Sequence, residues 1–264
     1  MLPQSGSVLG VDVGWSLKQR SSAICRLDWT DADIGWTVQH FTGQQEIRQQ
    51  AVSNLAGSCL LQAAAFDGPL RGDLAIIDRY RLAERLLSHP EIASRISKPG
   101  SSRSPVSRLL NHHTNQLAQL VLDNAEVAPA THDHAIHQSA ICEAFPSSFL
   151  GLMLADPIKG ARQKRSDRYF EILAESGLLL HLLKEQLPGR AVLQDLGGIT
   201  NHDDRAAFIC ALTALCVAAG DYSAVGDDDG WIIMPPLRFV APWARPLVRA
   251  WNNPADEKFV THLS

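Results

Sequence analysis

The chain has 264 residues, 45% of them hydrophobic and 20% charged, with a formal net charge of −4. That mixture excludes a wholly disordered chain and allows one large core. The acidic balance excludes bulk electrostatic attraction to nucleic acid, so any such partner would need a local basic patch or bound cations.

Taken in chain order, residues 7–13, 22–29 and 34–41 read as three strands. The first is short and apolar, and the next two alternate roughly by two. Their connections are short and polar, which predicts an antiparallel meander. Residues 45–58 are predicted helical, and LLQAAAFDGPL at 60–70 is predicted to be a buried strand stopped by Gly68-Pro69 and pairing parallel to the first. Apolar residues at helical spacing predict a helix over 74–88. KPGSSRSP at 98–105 reads as a loop, and a second helix is predicted from about 106 to 124. AIHQSAICE at 135–143 reads as a strand closed by Phe145-Pro146, and a long helix is predicted over about 163–186. AVLQDL at 191–196 reads equally as a short strand or a turn. A strong helix follows at 203–219, ending at Gly220, then VGDDDGWIIMP as a turn and a terminal strand. Pro242, Pro246 and Pro254 argue against regular structure in the tail.

The N-terminus lacks a basic stretch followed by a long apolar run, and no apolar run reaches the ~18 residues of a spanning helix. The five cysteines, Cys25, Cys59, Cys142, Cys210 and Cys216, form no CxxC pair, and four lie in apolar stretches. A cytoplasmic, reducing setting without a disulfide framework is the expectation.

Acidic side chains stand in unusual places. Asp12 sits inside a strand between valines, where aspartate is depleted. Asp67 and Glu143 end buried strands, and Asp203 and Asp204 open an apolar helix. Plain structural alternatives exist: Asp67 can cap a turn, Asp203 and Asp204 can complement the helix dipole, and Glu143 can pair with a basic side chain elsewhere in the chain; Asp12 is less easily explained so. No cationic partner is evident from sequence beside them. Several ionised carboxylates meeting at one place would repel, and a Mg²⁺ or Mn²⁺ ion would relieve that repulsion.

VLGVDVGWS, AAAFDGPL, ICEAFP, HDDRAAFICALTALCVA and VGDDDGWIIMP, in this order, resemble the predicted-nuclease family called domain of unknown function 429, within the RNase H-like superfamily. The resemblance implies an α/β fold over 1–264: an RNase H-like mixed central sheet, antiparallel meander then parallel strands, flanked by helices; the two helical segments around the Ser-, Pro- and Gly-rich loop mark 72–130 as a helical insertion within it. It also implies a metal-dependent nuclease whose acids fall on Asp12, Asp67, Glu143 and Asp203, holding Mg²⁺ or Mn²⁺, with nucleic acid as partner. His202 would orient a water or transfer a proton, though a solvent-exposed histidine at a helix start is the plainer alternative. One departure counts against activity. Family members commonly carry a second aspartate one turn along this helix, where this chain has Ala206; Asp204, about 100° around the helix from Asp203, does not replace it.

Two segments could line a phosphate backbone or form solvated faces. Residues 71–110 carry eight Lys or Arg against four acids, and KGARQKRSDR at 159–168 carries five against one. Tyr80 is the candidate for base stacking. His132, Asp133, His134 and His137 invite zinc without a cysteine partner nearby. Asp227–Gly230 lacks the later glutamate of a calcium loop and reads as a turn. The alternatives to a nuclease are a catalytically inactive RNase H-like module binding nucleic acid or a protein, and an actin-like phosphotransferase, which would need a duplicated domain.

Overall fold

A computed structural model describes residues 2–57, 60–95, 97–130, 138–156 and 165–251. The meander forms as expected: β1 (Gly6–Asp12), β2 (Ser22–Trp29) and β3 (Asp33–Phe41) pair antiparallel in turn. Helix α1 (Gln45–Ala56) carries the chain back to β4 (Leu60–Asp67), which lies parallel to β1. Then come α2 (Leu82–Leu87), α3 (Pro90–Ala93), α4 (Pro105–Asn124), the two-residue β5 (Glu126–Val127) beside β4, and β6 (Ile141–Ala144). Helices α5 (Pro146–Met153), α6 (Arg165–Glu175) and α7 (Leu178–Gln186) precede β7 (Ala191–Val192) and the long α8 (His202–Ala219). The hairpin β8 (Ser223–Asp227) and β9 (Gly230–Met234), followed by α9 (Arg245–Trp251), completes the described fold.

The strands form one mixed sheet in the order β7-β3-β2-β1-β4-β6-β9-β8. Helices cover both faces. On one, Val8, Ala63, Ala65 and Cys142 pack with α5, α6, α7 and α8; on the other, Leu9, Val11, Ala64 and Phe66 pack with α1 and α4. Among the described residues no helix is long and apolar enough to cross a membrane.

Several sequence expectations are corrected. The helix predicted over 74–88 is only α2. Residues 74–80 run irregularly, with Leu74 at φ 54°, because α4 satisfies their backbone instead. Asn111 Oδ1 accepts from Ile77 N (2.9 Å), and Asn115 Nδ2 donates to the Leu74 and Ala75 carbonyls (2.7 and 3.2 Å). The long helix over 163–186 is two helices, broken where Gly177 takes a left-handed φ of 75°. Pro146 starts a helix, α5, rather than merely closing a strand: at its first turn the missing N–H costs nothing. The turn and terminal strand at 225–235 are a hairpin, with Gly230 at φ 119° and Asp227 Oδ1 accepting from Asp229 N (3.0 Å); no calcium loop is built there. In the tail, Pro246 sits in the first turn of α9. Of the strand predicted at 135–143, the described part contributes β6 from Ile141, and 135–137 lie outside the described residues.

Candidate functional site

The site begins with strand periodicity. On β1 the side chains of Leu9 and Val11 enter one core, so Gly10 and Asp12 face the other way, toward α8. Asp12 and Asp67 are register partners across the parallel β1–β4 pair, and both occupy its carboxyl end. In-register neighbours project to the same face, so the two carboxyl groups stand side by side under α8. The helix can come this close because Gly10 has no Cβ. One built there would fall 2.0 Å from Ala211 N and 2.2 Å from Ala207 O, which α8's small residues Ala207, Cys210 and Ala211 leave no room to relieve.

Helix α8 opens at this end of the sheet. Asn201 caps it, its Oδ1 accepting from Asp203 N (2.8 Å), and the first turn brings Asp203 toward Asp12. Burial first, then the Asp67 and Asp203 charges, push the Asp12 carboxyl well above the usual carboxylate range. Asp67 is raised to about 7 by burial and the Glu143 charge, with His202 pulling it back. Among the described residues neither Asp12 nor Asp67 has an ion-pair partner.

The other predicted residues behave differently. Glu143 is β6's inward acid, but its register partner is Phe66, so it leaves the sheet on the face opposite Asp67. It has the cationic partner that the sequence does not reveal. Arg81, 1% exposed, grips it with two charge-assisted bonds, Nη1 to Oε2 (2.6 Å) and Nη2 to Oε1 (2.8 Å), while Leu70 N donates to Oε2 (2.8 Å). Arg81 Nε also donates to Glu84 Oε1 (2.9 Å), and Glu84 receives Ser102 N and Oγ. Burial raises the Glu143 pKa and the guanidinium opposes it. Asp204 reaches instead to β3, its Oδ1 lying 2.5 Å from His40 Nε2, on the strand position two strands across from Asp12. The contact has ion-pair distance but not hydrogen-bond alignment. Ala206 is 8% exposed, so the position one turn beyond Asp203 is apolar and closed. His202 is exposed, and its Nδ1 lies 2.6 Å from Asp167 Oδ1.

The structure thus gathers Asp12, Asp67 and Asp203, with His202 at the rim; Glu143 stays within electrostatic reach of Asp67 but is held by Arg81 on the other face of the sheet. Sequence reasoning missed Arg81, Asp167 and His40. Asp167 carried a signal, being the lone acid in KGARQKRSDR; Arg81 is one arginine among many. Among the described residues no three His, Cys, Asp or Glu side chains have the arrangement to hold a metal ion. The donor set nonetheless suits a hard divalent cation: two part-buried carboxyl groups without a cation beside them, and a third acid on a helix start. Such an ion would displace the protons that the raised pKa values retain.

Of the basic stretch at 71–110, Arg79, Arg85, Lys98, Arg103 and Arg108 are exposed, whereas Arg95 lies over Trp243, 4.6 Å from its ring centroid. Tyr80 is 42% exposed. His132, Asp133, His134 and His137, Cys59, and residues 159–164 of the second basic segment lie outside the described residues.

No family model matches the chain, and neither a curated protein nor a solved structure matches it.

Proposed function

We propose that this chain is an RNase H-like, metal-dependent nuclease related to domain of unknown function family 429, hydrolysing phosphodiester bonds of nucleic acid. The observation that carries the reading is the in-register pair Asp12 and Asp67, at the carboxyl end of adjacent parallel strands, under the helix start that carries Asp203. Ligand sites of open α/β sheets lie outside the carboxyl ends of their strands. Asp12 and Asp67 would hold Mg²⁺ or Mn²⁺, and Asp203 would close the set. When bound, such an ion supplies an activated water and neutralises charge on the leaving oxygen. His202, its Nδ1 oriented by Asp167, is placed to exchange a proton through Nε2. Glu143 stays with Arg81 and anchors the chain between β4 and α4, rather than binding metal.

The reading is tested by calorimetry with Mg²⁺ and Mn²⁺, followed by cleavage assays on single- and double-stranded DNA and RNA. Saturable binding by the wild type, lost in Asp12→Asn, with metal-dependent cleavage lost in Asp67→Asn, is the expected outcome. Cleavage that persists in Asp12→Asn overturns it.

A second reading is a catalytically inactive RNase H-like module that binds nucleic acid or a protein. It is favoured by Ala206, which removes an acid from α8, and by the absence among the described residues of a preformed three-ligand group. Nucleic-acid binding without cleavage in either metal would select it.

A further inference from the structure

The buried arginine of α1 has no place in the chemistry above. Arg48 is 5% exposed, although its neighbours Ile47 and Gln49 reach solvent. Its Nη2 donates to the Gly14 carbonyl (3.0 Å), and its Nη1 meets His113 Nδ1 (3.2 Å) and Gln116 Oε1 (3.3 Å). Its Nε is buried without a hydrogen-bond partner, and among the described residues no carboxylate pairs with it. A desolvated guanidinium without an anion is costly unless an anion completes it. Arg48, His113 and Gln116 line a cavity of about 390 Å³ between α1 and α4, together with Gln45 and Gln119. Asp123 also lines it and accepts from Gln119 Nε2 (2.8 Å). Trp15, 37% exposed, stacks on the His113 ring at 6.2 Å and 7°. The Gly14 carbonyl that Arg48 grips is two residues from Asp12, just past the carboxyl end of β1, although α1 and α4 cover the sheet face opposite the one onto which Asp12 and Asp67 look.

We infer that this cavity binds a phosphate group, held by Arg48 with His113 and Gln116 beside it. The donor group is the Arg48 guanidinium: its Nε has no partner, and its Nη1 meets only the neutral acceptors His113 Nδ1 and Gln116 Oε1, whose place a tetrahedral oxyanion would take with a charge-assisted bond. Burial and the adjacent Arg48 charge lower the His113 pKa, and a bound anion would reverse that effect. Use of the site for a backbone phosphate of nucleic acid rests on the nuclease reading; the binding of phosphate does not.

The test is a titration of the full chain with inorganic phosphate in EDTA, following the His113 ring resonances by NMR, with acetate in parallel. EDTA removes any divalent metal, so failure here is distinct from failure of the nuclease reading. A saturable His113 shift with phosphate, weakened at least about tenfold in both Arg48→Met and His113→Gln, is expected; for the histidine variant the Trp15 indole resonance reports instead. Should Arg48→Met not fold, Gln116→Leu replaces it with the same expectation. An unresponsive His113, an equal response in the variants, or acetate binding as tightly as phosphate overturns the inference. A single-stranded oligonucleotide distinguishes the sources: affinity lowered by His113→Gln assigns the site to backbone phosphate, and unchanged affinity with phosphate binding lost assigns it to a free phosphate or phosphomonoester.

Discussion

At the scale of single residues, the chemistry turns on how the chain isolates some charges and neutralises others. Glu143 and Asp67 end neighbouring parallel strands, yet one is clasped by Arg81 and the other has no ion-pair partner among the described residues. The difference follows from the two-residue period, which sends them to opposite faces. Asp67, raised to about 7, should therefore make stability depend on pH. A carboxyl group whose folded-state pKa exceeds its unfolded value of about 3.9 keeps its proton longer in the native state. That advantage is fully present at low pH and is lost as pH rises from about 4 to about 7. In metal-free buffer, Asp67→Asn should remove this decline and stabilise the protein at pH 8 by about 2 kcal/mol, roughly half of the full shift because solvent reaches the group. Urea denaturation at pH 5 and pH 8 checks it; identical wild-type and variant slopes between the two would show that Asp67 titrates normally. Added Mg²⁺ should flatten the wild-type dependence if the ion replaces the proton.

At the scale of elements, most of the sheet is legible in the sequence because β1 to β4 carry local signals. Alternation, short polar connections and the Gly68-Pro69 stop each act within a few residues. The placement of Asp12 beside Asp67 also follows from reading β1 and β4 as parallel. The segment at 74–81 was not legible, because its apolar spacing is helical while its conformation is set by Asn111 and Asn115, which lie more than thirty residues away. The pairing of Arg81 with Glu143 is hidden for the same reason, at a separation of 62 residues. This pair fixes the irregular stretch before α2 to β6, and Gly230 closes over it: a Cβ there would come 2.8 Å from Arg81 Nη1. Breaking it from one side leaves an uncompensated buried charge. Arg81→Met should cost about 3–5 kcal/mol, and because buried Glu84 shares the guanidinium, it is the triple variant Arg81→Met, Glu84→Gln, Glu143→Leu that should recover much of that loss. Glu143→Gln should keep Mg²⁺ affinity within about twofold, since the acid is bound to arginine rather than to metal. A drop as large as that of Asp12→Asn would return Glu143 to the metal site.

At the scale of the whole molecule, one core on the α8 side unites elements from both halves of the chain, and its cysteines make that unity measurable. Cys25 on β2, Cys142 on β6, and Cys210 and Cys216 on α8 are all buried and free, and all belong to the same cluster. Burial pushes all four thiols well above the ordinary cysteine range, with the Asp67 and Asp12 charges adding to the effect at Cys210. Neither thiolate character nor access is available in the native state, so a thiol reagent reacts only after opening. The helices between β4 and β6 could open alone, but Cys142 is held between β4 and the β9 hairpin and should not be released by that event. In a Cys59→Ser background, labelling followed by mass spectrometry should therefore pass from none to four adducts without intermediates, at the global unfolding rate. Early labelling of Cys142 alone would mean that β6 and the hairpin form a separately unfolding unit. In that case Asp12 and Asp67 would lie at the boundary between two such units rather than within one.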